Sequence, residues 1–178
     1  MQRIVLETTY SIEARHNFSQ SDFGNKEDEI TDDLIPEDDR DAGGLPRILT
    51  ISKGSRIMLI RNIFTKEGLV NGTMGFVEDV SLNKETNEPN VVYVKFDDEN
   101  IGKILQDSTQ DNSIPIEPIC QEFHYNGRSI VREQFPLILS WACTIHKLQG
   151  SSLDQAVISI GNDIFEPCIY VACCFKSC

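Results

Sequence analysis

The sequence of 178 residues lacks the features that direct a chain into or across a membrane. No apolar run approaches the ~18 residues that a membrane-spanning helix needs. The first residues also lack the charged start, apolar segment and small-residue cleavage site of a secretory leader. We therefore expect an unexported chain that does not span a membrane. Its hydrophobic content of 40% is typical of a globular protein with a real core.

Common nucleotide-binding and catalytic motifs are also missing. No Gly-rich loop ends in Lys-Ser or Lys-Thr, so the sequence supplies no P-loop cradle for phosphates. No Ser-His-Asp or Cys-His arrangement is evident. Cys143 lies three residues before His146, but its apolar approach favours a packed thiol over a nucleophile. The other histidines, His16 and His124, and the carboxylate pairs of the acidic tract indicate no site.

Disulfide and metal frameworks are not predicted either. Six cysteines without a leader are typical of reduced thiols. Cys120 and Cys143 lie in or beside apolar segments, so we expect them in or near the core. The other four crowd the end of the sequence: Cys168, Cys173, Cys174 and Cys178. Because they lack short paired spacings and nearby histidines, a zinc site is disfavoured and no metal is predicted.

A basic surface typical of nucleic-acid-binding proteins is absent. The net charge is −12, and residues 22–41 contribute most of it, with ten Asp or Glu against Lys26 and Arg40. Residues 42–150 hold thirteen acids and eleven bases, which is close to neutral. The acidity is thus a local tract, predicted to be a solvated loop or linker, and a DNA-binding surface elsewhere stays possible. Without a basic footprint, however, tight DNA binding by this chain alone is not expected.

From Leu45 onward the sequence has the pattern of a β-rich region. Short apolar or alternating runs predict strands at 48–51, 56–61, 76–80, 91–96 and 127–132. Turn signals separate them, including residues 52–55 and the Asn71-Gly72 step, which favours a tight reversal. Short strands at this spacing predict a small, strongly bent barrel or sheet.

A polar segment at 141–154 lies between two apolar runs, 135–139 and 156–160, which are predicted to be buried strands. The segment is rich in hydrogen-bond donors: Thr144, His146, Lys147 and Gln149. Such groups are costly to bury without partners, and phosphate oxygens are natural acceptors for them. The order strand, polar turn, helix, strand is typical of a parallel α/β layer with ligand sites at the strand ends. A helix-capping turn with solvated side chains explains the segment equally well.

Several stretches resemble the PIF-type DNA helicases, superfamily-one motors related to the RecD helicases. Residues 135–150, FPLILSWACTIHKLQG, are similar to motif V of that family. Four upstream stretches are similar to the family in the same order: 36–40, 43–46, 54–62 and 68–75. They resemble its 2B element, and the likeness extends from about residue 30 to 172.

The resemblance implies a fold of the α+β or α/β class: a small Src-homology-like β-barrel insertion, 2B, attached to a partial RecA-like α/β second motor domain. It implies that the intact protein couples hydrolysis of ATP, with Mg²⁺, to 5′-to-3′ translocation on single-stranded DNA. By motif match, Thr144, His146 and Lys147 would contact phosphates of the strand, and Gln149 and Gly150 would approach the nucleotide interface. The family also implies work in the nucleus or mitochondrion, in repair, recombination and telomere maintenance.

Two departures from the family limit the activity expected of this chain. The first motor domain, with its Walker A lysine and Walker B acid, is missing, so it is expected as a partner that this chain lacks. Phe175 stands where the family has the motif VI arginine. Lys176, one place later, is not equivalent, because its ammonium lacks the planar set of donors of a guanidinium. We therefore expect no ATP or Mg²⁺ binding and no ATPase activity from the chain alone, as for a truncated or frame-shifted product.

The predicted organisation has five parts: a motor-domain edge remnant at 1–20, an acidic loop or linker at 21–44, a β-rich 2B-like region at 45–132, a partial RecA-like segment at 133–172 and a divergent Cys-rich tail at 173–178. Besides the helicase-fragment interpretation, two alternatives remain. The chain is a stand-alone, non-catalytic module that binds DNA or a partner, or it is a non-functional truncated product.

Overall fold

A computed structural model describes residues 8–19, 30–106, 112–141, 143–144, 155–159 and 171–175. These residues form one short helix, α1 (Lys103–Gln106), and 3-10 turns at Asp32–Leu34 and Thr65–Glu67. The strands are β1 (Thr9–Glu13), β2 (Arg15–Phe18), β3 (Ile48–Ser52), β4 (Arg56–Leu59), β5 (Met74–Leu82), β6 (Pro89–Phe96), β7 (Ile114–Ile116), β8 (Ile119–Tyr125), β9 (Arg128–Gln134), β10 (Leu137–Leu139), β11 (Cys143–Thr144), β12 (Gln155–Ser159) and β13 (Val171–Phe175). Within this part of the chain, no helix is long and apolar enough to cross a membrane.

The large sheet contains five strands in the order β10-β4-β5-β6-β7, and every neighbouring pair is antiparallel. Its strands are rich in β-branched and aromatic residues, which favour a pleated and partly buried surface. One face of this sheet packs with β1 and β3 to form the main hydrophobic core. Its fully buried side chains include Ile57, Leu59, Val92, Val94, Ile114 and Leu137. The strands predicted at 48–51, 56–61, 76–80 and 91–96 are thus confirmed in their cores.

The large sheet is bent but open, so the closed barrel expected from the resemblance is not found among the described residues. β10 and β7 stand at opposite ends of the strand order and do not pair with each other. Each of them is only three residues long, which offers few ladder positions for closure. A register shift in β5 between Val77 and Asp79 is typical of a β-bulge and increases the local bend.

The small sheet contains β2, β9 and β8, with β9 in the centre. A segment of the acidic tract packs on one face of it, because Ala42 joins Phe123 and Ile130 in a second apolar cluster. Ile30 and Leu34 add partly buried contacts to that cluster. Residues 30–44 form turns and loop whose side chains are mostly exposed or half-buried, and the few apolar residues of the tract anchor it to the small sheet.

The region after β9 differs from the predicted parallel α/β layer. β10 joins the large sheet antiparallel to β4, and β11 and β12 both pair antiparallel with β13. The strand pairs that the structure describes are all antiparallel, so a RecA-like α/β layer is not confirmed. The helix predicted within 140–150 falls largely on residues 145–150, which lie outside the described residues.

Several strands, β7 and β8 among them, and one cysteine differ from the expectations. β7 and β8 were not predicted, because Pro115 and Pro118 interrupt the pattern that would identify them. Cys120 lies on the exposed face of β8, which corrects its expected place in the core. The exposed face follows from the strand's alternation, since Phe123 occupies the buried one.

Candidate nucleic-acid interface

The predicted DNA-contacting residues fall mostly outside the described part of the chain. Thr144 ends β11, and its backbone pairs with Val171 of β13. His146 and Lys147, as well as the predicted nucleotide-interface residues Gln149 and Gly150, lie outside the described residues. The structure does describe the approach to this segment, which runs through β10 to Trp141.

The approach is held by backbone hydrogen bonds to the large sheet. Ile60 N donates to Pro136 O at 3.0 Å, and Ser140 N donates to Arg56 O at 2.8 Å. Ser140 is fully buried, whereas Trp141 beside it is 57% exposed. The polar segment therefore starts from a fixed point at the end of β10, with a large aromatic side chain on the surface.

A buried arginine lies beneath this fixed point. Both terminal nitrogens of the Arg56 guanidinium donate to the carboxylate of Asp97, each at 2.5 Å. The guanidinium also stacks over the Phe76 ring, 4.6 Å from its centroid. A bidentate, stacked arginine has little freedom to move, so β4 holds the end of β10 firmly. Arg56 Nε is buried without a hydrogen-bond partner among the described residues.

A second buried arginine organises residues 39–45, which we call the clasp. Arg132 of β9 is fully buried and donates through Nη1 to Asp39 Oδ1 at 2.8 Å and to Leu45 O at 2.7 Å. Its Nε donates to His16 Nε2 at 2.9 Å. On the other side, Arg61 donates through Nη2 to Gly43 O. The clasp thus connects the small sheet, through Arg132, to the region that follows β4, through Arg61.

The electrostatics of the clasp depend on burial. Burial lowers the pKa of Arg132 from its ordinary value, while the neighbouring carboxylate of Asp39 opposes that change. Burial and then the Arg132 and Arg47 cations lower the pKa of His16 below 6.5, and Glu13 opposes them. His16 accepts the Arg132 hydrogen bond only while Nε2 is unprotonated, so a neutral imidazole is part of the folded arrangement.

Two negative findings limit what these sites can bind. A cavity of about 360 Å³ lies between the β1–β2 junction, the end of β9 and the start of β6. Glu13, Glu88 and Glu133 line it around Arg15, which is unfavourable for a phosphate chain. Among the described residues no group of three or more His, Cys, Asp or Glu side chains could hold a metal ion.

Sequence reasoning missed both arginine clusters. It also assigned no role to His16, which accepts a hydrogen bond from Arg132 across a separation of 116 residues. Two features of the sequence mark these clusters. One is the Gly43-Gly44 pair, and the other is Arg132, which lies two residues from each of the buried strand residues Ile130 and Gln134. A charged residue at an inward position of a strand indicates a buried partner somewhere in the chain.

Comparison with known proteins gives matches in sequence and in fold. The family described as "DNA helicase Pif1, 2B domain" matches residues 41–80. The ATP-dependent DNA helicase PIF1 of Rattus norvegicus is 32% identical over 127 residues, which cover 71% of this chain and 17% of that protein. The ATP-dependent DNA helicase Pif1 of Campylobacter jejuni is 32% identical over 124 residues, 70% of this chain and 26% of that protein.

One solved structure shares the fold. The crystal structure of Pif1 helicase from Candida albicans matches 84% of this chain and 33% of that chain, with a TM-score of 0.51 and 21% sequence identity. At that identity the likeness supports a shared fold. The chain spans well under half of each of these proteins, so their activities describe larger assemblies than the residues present here.

Proposed function

Because the chain is a relative of the PIF-type DNA helicases and contains a Pif1 2B domain, we propose that it supplies the 2B region and motif V of an ATP-dependent DNA helicase. The observation that carries the proposal is the 2B match at residues 41–80, together with 32% identity over 127 residues to a named helicase. The matched residues include β3, β4 and most of β5, together with Arg56 and Arg61.

In this proposal Thr144, His146 and Lys147 bind phosphates of single-stranded DNA. A hydroxyl, an imidazole and an ammonium are suitable donors for phosphate oxygens, and they read no base sequence. The anchored end of β10 supports the assignment, since it fixes where the polar segment begins. The role of this chain is to hold the strand, and Gln149 and Gly150 then face the nucleotide side of the motor.

Nucleotide chemistry is assigned to residues other than those of this chain. In the proposal a separate motor domain supplies the cradle for Mg²⁺-ATP, and 5′-to-3′ translocation is a property of the joined protein. The purified chain should therefore show no DNA-stimulated ATP hydrolysis. Hydrolysis that persists through purification of the chain would contradict this division of roles. The family also favours a nuclear or mitochondrial location, which imaging of a tagged chain would test.

The DNA contact can be tested by fluorescence anisotropy with a labelled single-stranded oligonucleotide of mixed sequence. We expect weak binding at low salt, with an affinity that falls as salt rises because phosphate contacts release counterions. The double variant His146→Ala/Lys147→Ala should weaken binding about tenfold or more and reduce the steepness of the salt dependence. The matched control is Lys84→Ala, which removes an exposed lysine from the β5–β6 loop.

Two outcomes would contradict the proposal. Absence of binding at the lowest salt would exclude a DNA contact by this chain. An equal loss in Lys84→Ala would mean that any surface cation serves, and that the motif V residues have no special role. Binding that is weakened by the double variant and not by Lys84→Ala would support the assignment of the phosphate contacts. The same result is expected if the chain is a stand-alone binding module.

A further inference from the structure

His16 and Arg132 face each other across β2 and β9. They are register partners in the small sheet, and Arg132 Nε donates to His16 Nε2 at 2.9 Å. Arg132 is fully buried, whereas His16 is half-buried and belongs to an edge strand. Arg15, the charged neighbour of His16 on β2, lies on the opposite face of the strand and pairs with Glu88. A proton from solvent can therefore reach the imidazole while the sheet stays folded.

Protonation of His16 is incompatible with the position that Arg132 occupies. Both ring nitrogens of an imidazolium are donors, so Nε2 no longer accepts from Arg132 Nε. Arg132 Nη2 is already buried without a hydrogen-bond partner among the described residues. The protonated arrangement thus leaves two guanidinium nitrogens without acceptors and places two cations in contact. Both features are costly away from water, so the proton favours a structure in which Arg132 leaves this site.

The other charges that face His16 do not compensate for this repulsion. Arg132 from β9 and Arg47 from the residues before β3 oppose protonation, and Glu13 at the end of β1 favours it. Glu13 is exposed, so solvent screens its effect. Asp39 of the clasp already accepts from Arg132 Nη1 and from the N–H of Arg47. An imidazolium therefore finds no anion in its immediate surroundings that is both buried and unoccupied.

The clasp is the part of the fold that depends on this arrangement. β2 and β9 keep their backbone pairing whatever the charge of His16. Asp39 Oδ1 and Leu45 O, in contrast, are held at the small sheet by donors of Arg132. Ala42 adds a small apolar contact with the same sheet. Because few contacts hold the clasp there, its local opening needs less free energy than unfolding of the sheet.

We propose that the clasp is a pH-sensitive strap: uptake of a proton by His16 displaces Arg132 and releases the clasp from the small sheet. The clasp stays tied through Gly43 O to Arg61, so its release uncouples the small sheet from the region that follows β4. Burial and the neighbouring cations lower the pKa of His16 in the closed state, so the open state binds the proton more tightly. A fall in pH then shifts the population toward the open state. The strap does not require DNA binding.

NMR of the isotope-labelled chain between about pH 7.5 and pH 5 tests the strap, because imidazoles titrate in this range. The nuclear Overhauser contact between the Ala42 methyl group and Ile130 reports a closed clasp, since both belong to one apolar cluster. This contact should weaken about threefold or more with the same midpoint as the ring protons of His16. The protection of the Ala42 and Gly44 amides against exchange should fall about tenfold, while contacts across the β2–β9 pair remain.

Two matched variants each replace one histidine by glutamine, which accepts a hydrogen bond and does not titrate. His16→Gln should keep the clasp closed over the whole pH range. His124→Gln changes the histidine that is hydrogen-bonded to Ser129 in the same sheet, and it should respond like the wild type. Release that persists in His16→Gln would overturn the proposal, as would a closed clasp in the wild type after its His16 ring has titrated. If His16→Gln unfolds, the wild-type titration decides, because it follows the ring and the clasp in one sample.

Discussion

The two buried arginines, Arg56 and Arg132, differ in how their guanidinium groups are hydrogen-bonded. Arg56 places both terminal nitrogens on one carboxylate, that of Asp97, and its ring partner Phe76 is in the neighbouring strand. Arg132 instead divides its donors among a carboxylate, a backbone carbonyl and the imidazole of His16. Its acceptors lie 87, 93 and 116 residues away in sequence.

The difference shows what each arginine holds in place. Arg56 stiffens one sheet locally, at the point where the proposed DNA-binding segment begins. Arg132 holds the clasp, a distant segment of acidic character, against the small sheet. A bidentate pair depends on two groups only, whereas replacement of Arg132 removes hydrogen bonds to three separate acceptors. We therefore expect stability to be more sensitive at Arg132 than at Arg56.

The largest effect should come from replacing the two arginines by methionine, which keeps much of the aliphatic volume. Arg132→Met removes the guanidinium donors from His16, from the buried Leu45 carbonyl and from Asp39, which keeps only the N–H of Arg47, and we expect a loss of about 3–4 kcal/mol in the free energy of unfolding. Arg56→Met leaves only the partly exposed Asp97 and keeps the contact with Phe76, so about 2 kcal/mol is expected. Urea unfolding followed by circular dichroism gives both values.

Hydrogen exchange distinguishes a local from a global cause. Ala42 N and Gly44 N both donate to Asp39 O, so their exchange reports on the clasp. In Arg132→Met the exchange rates of these two amides should rise, relative to the wild type, by more than those of the core strands. In Arg56→Met they should rise by no more than those of the core strands. A larger loss of stability in Arg56→Met than in Arg132→Met would mean that the Arg56–Asp97 pair contributes more to stability than the Arg132 cluster does.

An intermediate effect is expected from two glycines, one in the clasp and one next to the large sheet. Gly43 and Gly72 both have positive φ, 71° and 95°, so alanine strains the backbone at each by about 1 kcal/mol. A Cβ at Gly43 would lie 2.3 Å from Gln121 Cγ, whereas a Cβ at Gly72 meets nothing within 4 Å. Gly43→Ala should therefore cost about 1–2 kcal/mol more than Gly72→Ala.

A double-mutant cycle tests whether the contact with Gln121 causes the additional loss of stability in Gly43→Ala. Replacing Gln121 by alanine should remove most of the additional cost of Gly43→Ala and leave that of Gly72→Ala unchanged. Thermal or urea unfolding of the four chains measures the coupling. Additive costs for Gly43 and Gln121 would mean that the side chain moves aside freely, and that only backbone strain counts at this turn.

The comparison of the two regions also explains which features were predictable from sequence. Four strands of the large sheet, β4, β5, β6 and β10, were predicted because their apolar residues alternate or cluster over a few positions, as in β4 and β6, whereas β7, which contains Pro115, was not. The reversal at Gly72 was predicted because its signal is two adjacent residues. Local patterns of this kind reflect local physics, so the sequence contains the needed information within a short window.

The clasp was not predictable in the same way. Charge density in the acidic tract favours solvent, but tertiary contacts of Ala42 and the carboxylate of Asp39 decide its place, and their partners are in distant strands. The α/β layer expected after β9 has a related explanation. The interpretation followed the order of apolar runs, which does not specify whether neighbouring strands are parallel. For motif V, the resemblance identified residues whose side chains the structure does not describe, so their roles stay predictions.

The smallest effect concerns His16 and applies to the Arg132 cluster alone. Because the folded chain lowers the pKa of His16 below 6.5, chiefly by burial and by Arg132, the unfolded chain takes up the proton first as pH falls. Stability from the neutral imidazole is fully present above that ordinary value and is lost as pH falls through the lower pKa of the folded state.

His16→Gln keeps an acceptor that does not titrate and should flatten this dependence of stability on pH. Unfolding measured between about pH 7.5 and 5.5 tests it, since ordinary carboxylates titrate mainly below that range. The difference between the two slopes is decisive, because other groups contribute to both chains alike; identical slopes would mean that protonating His16 leaves the clasp intact.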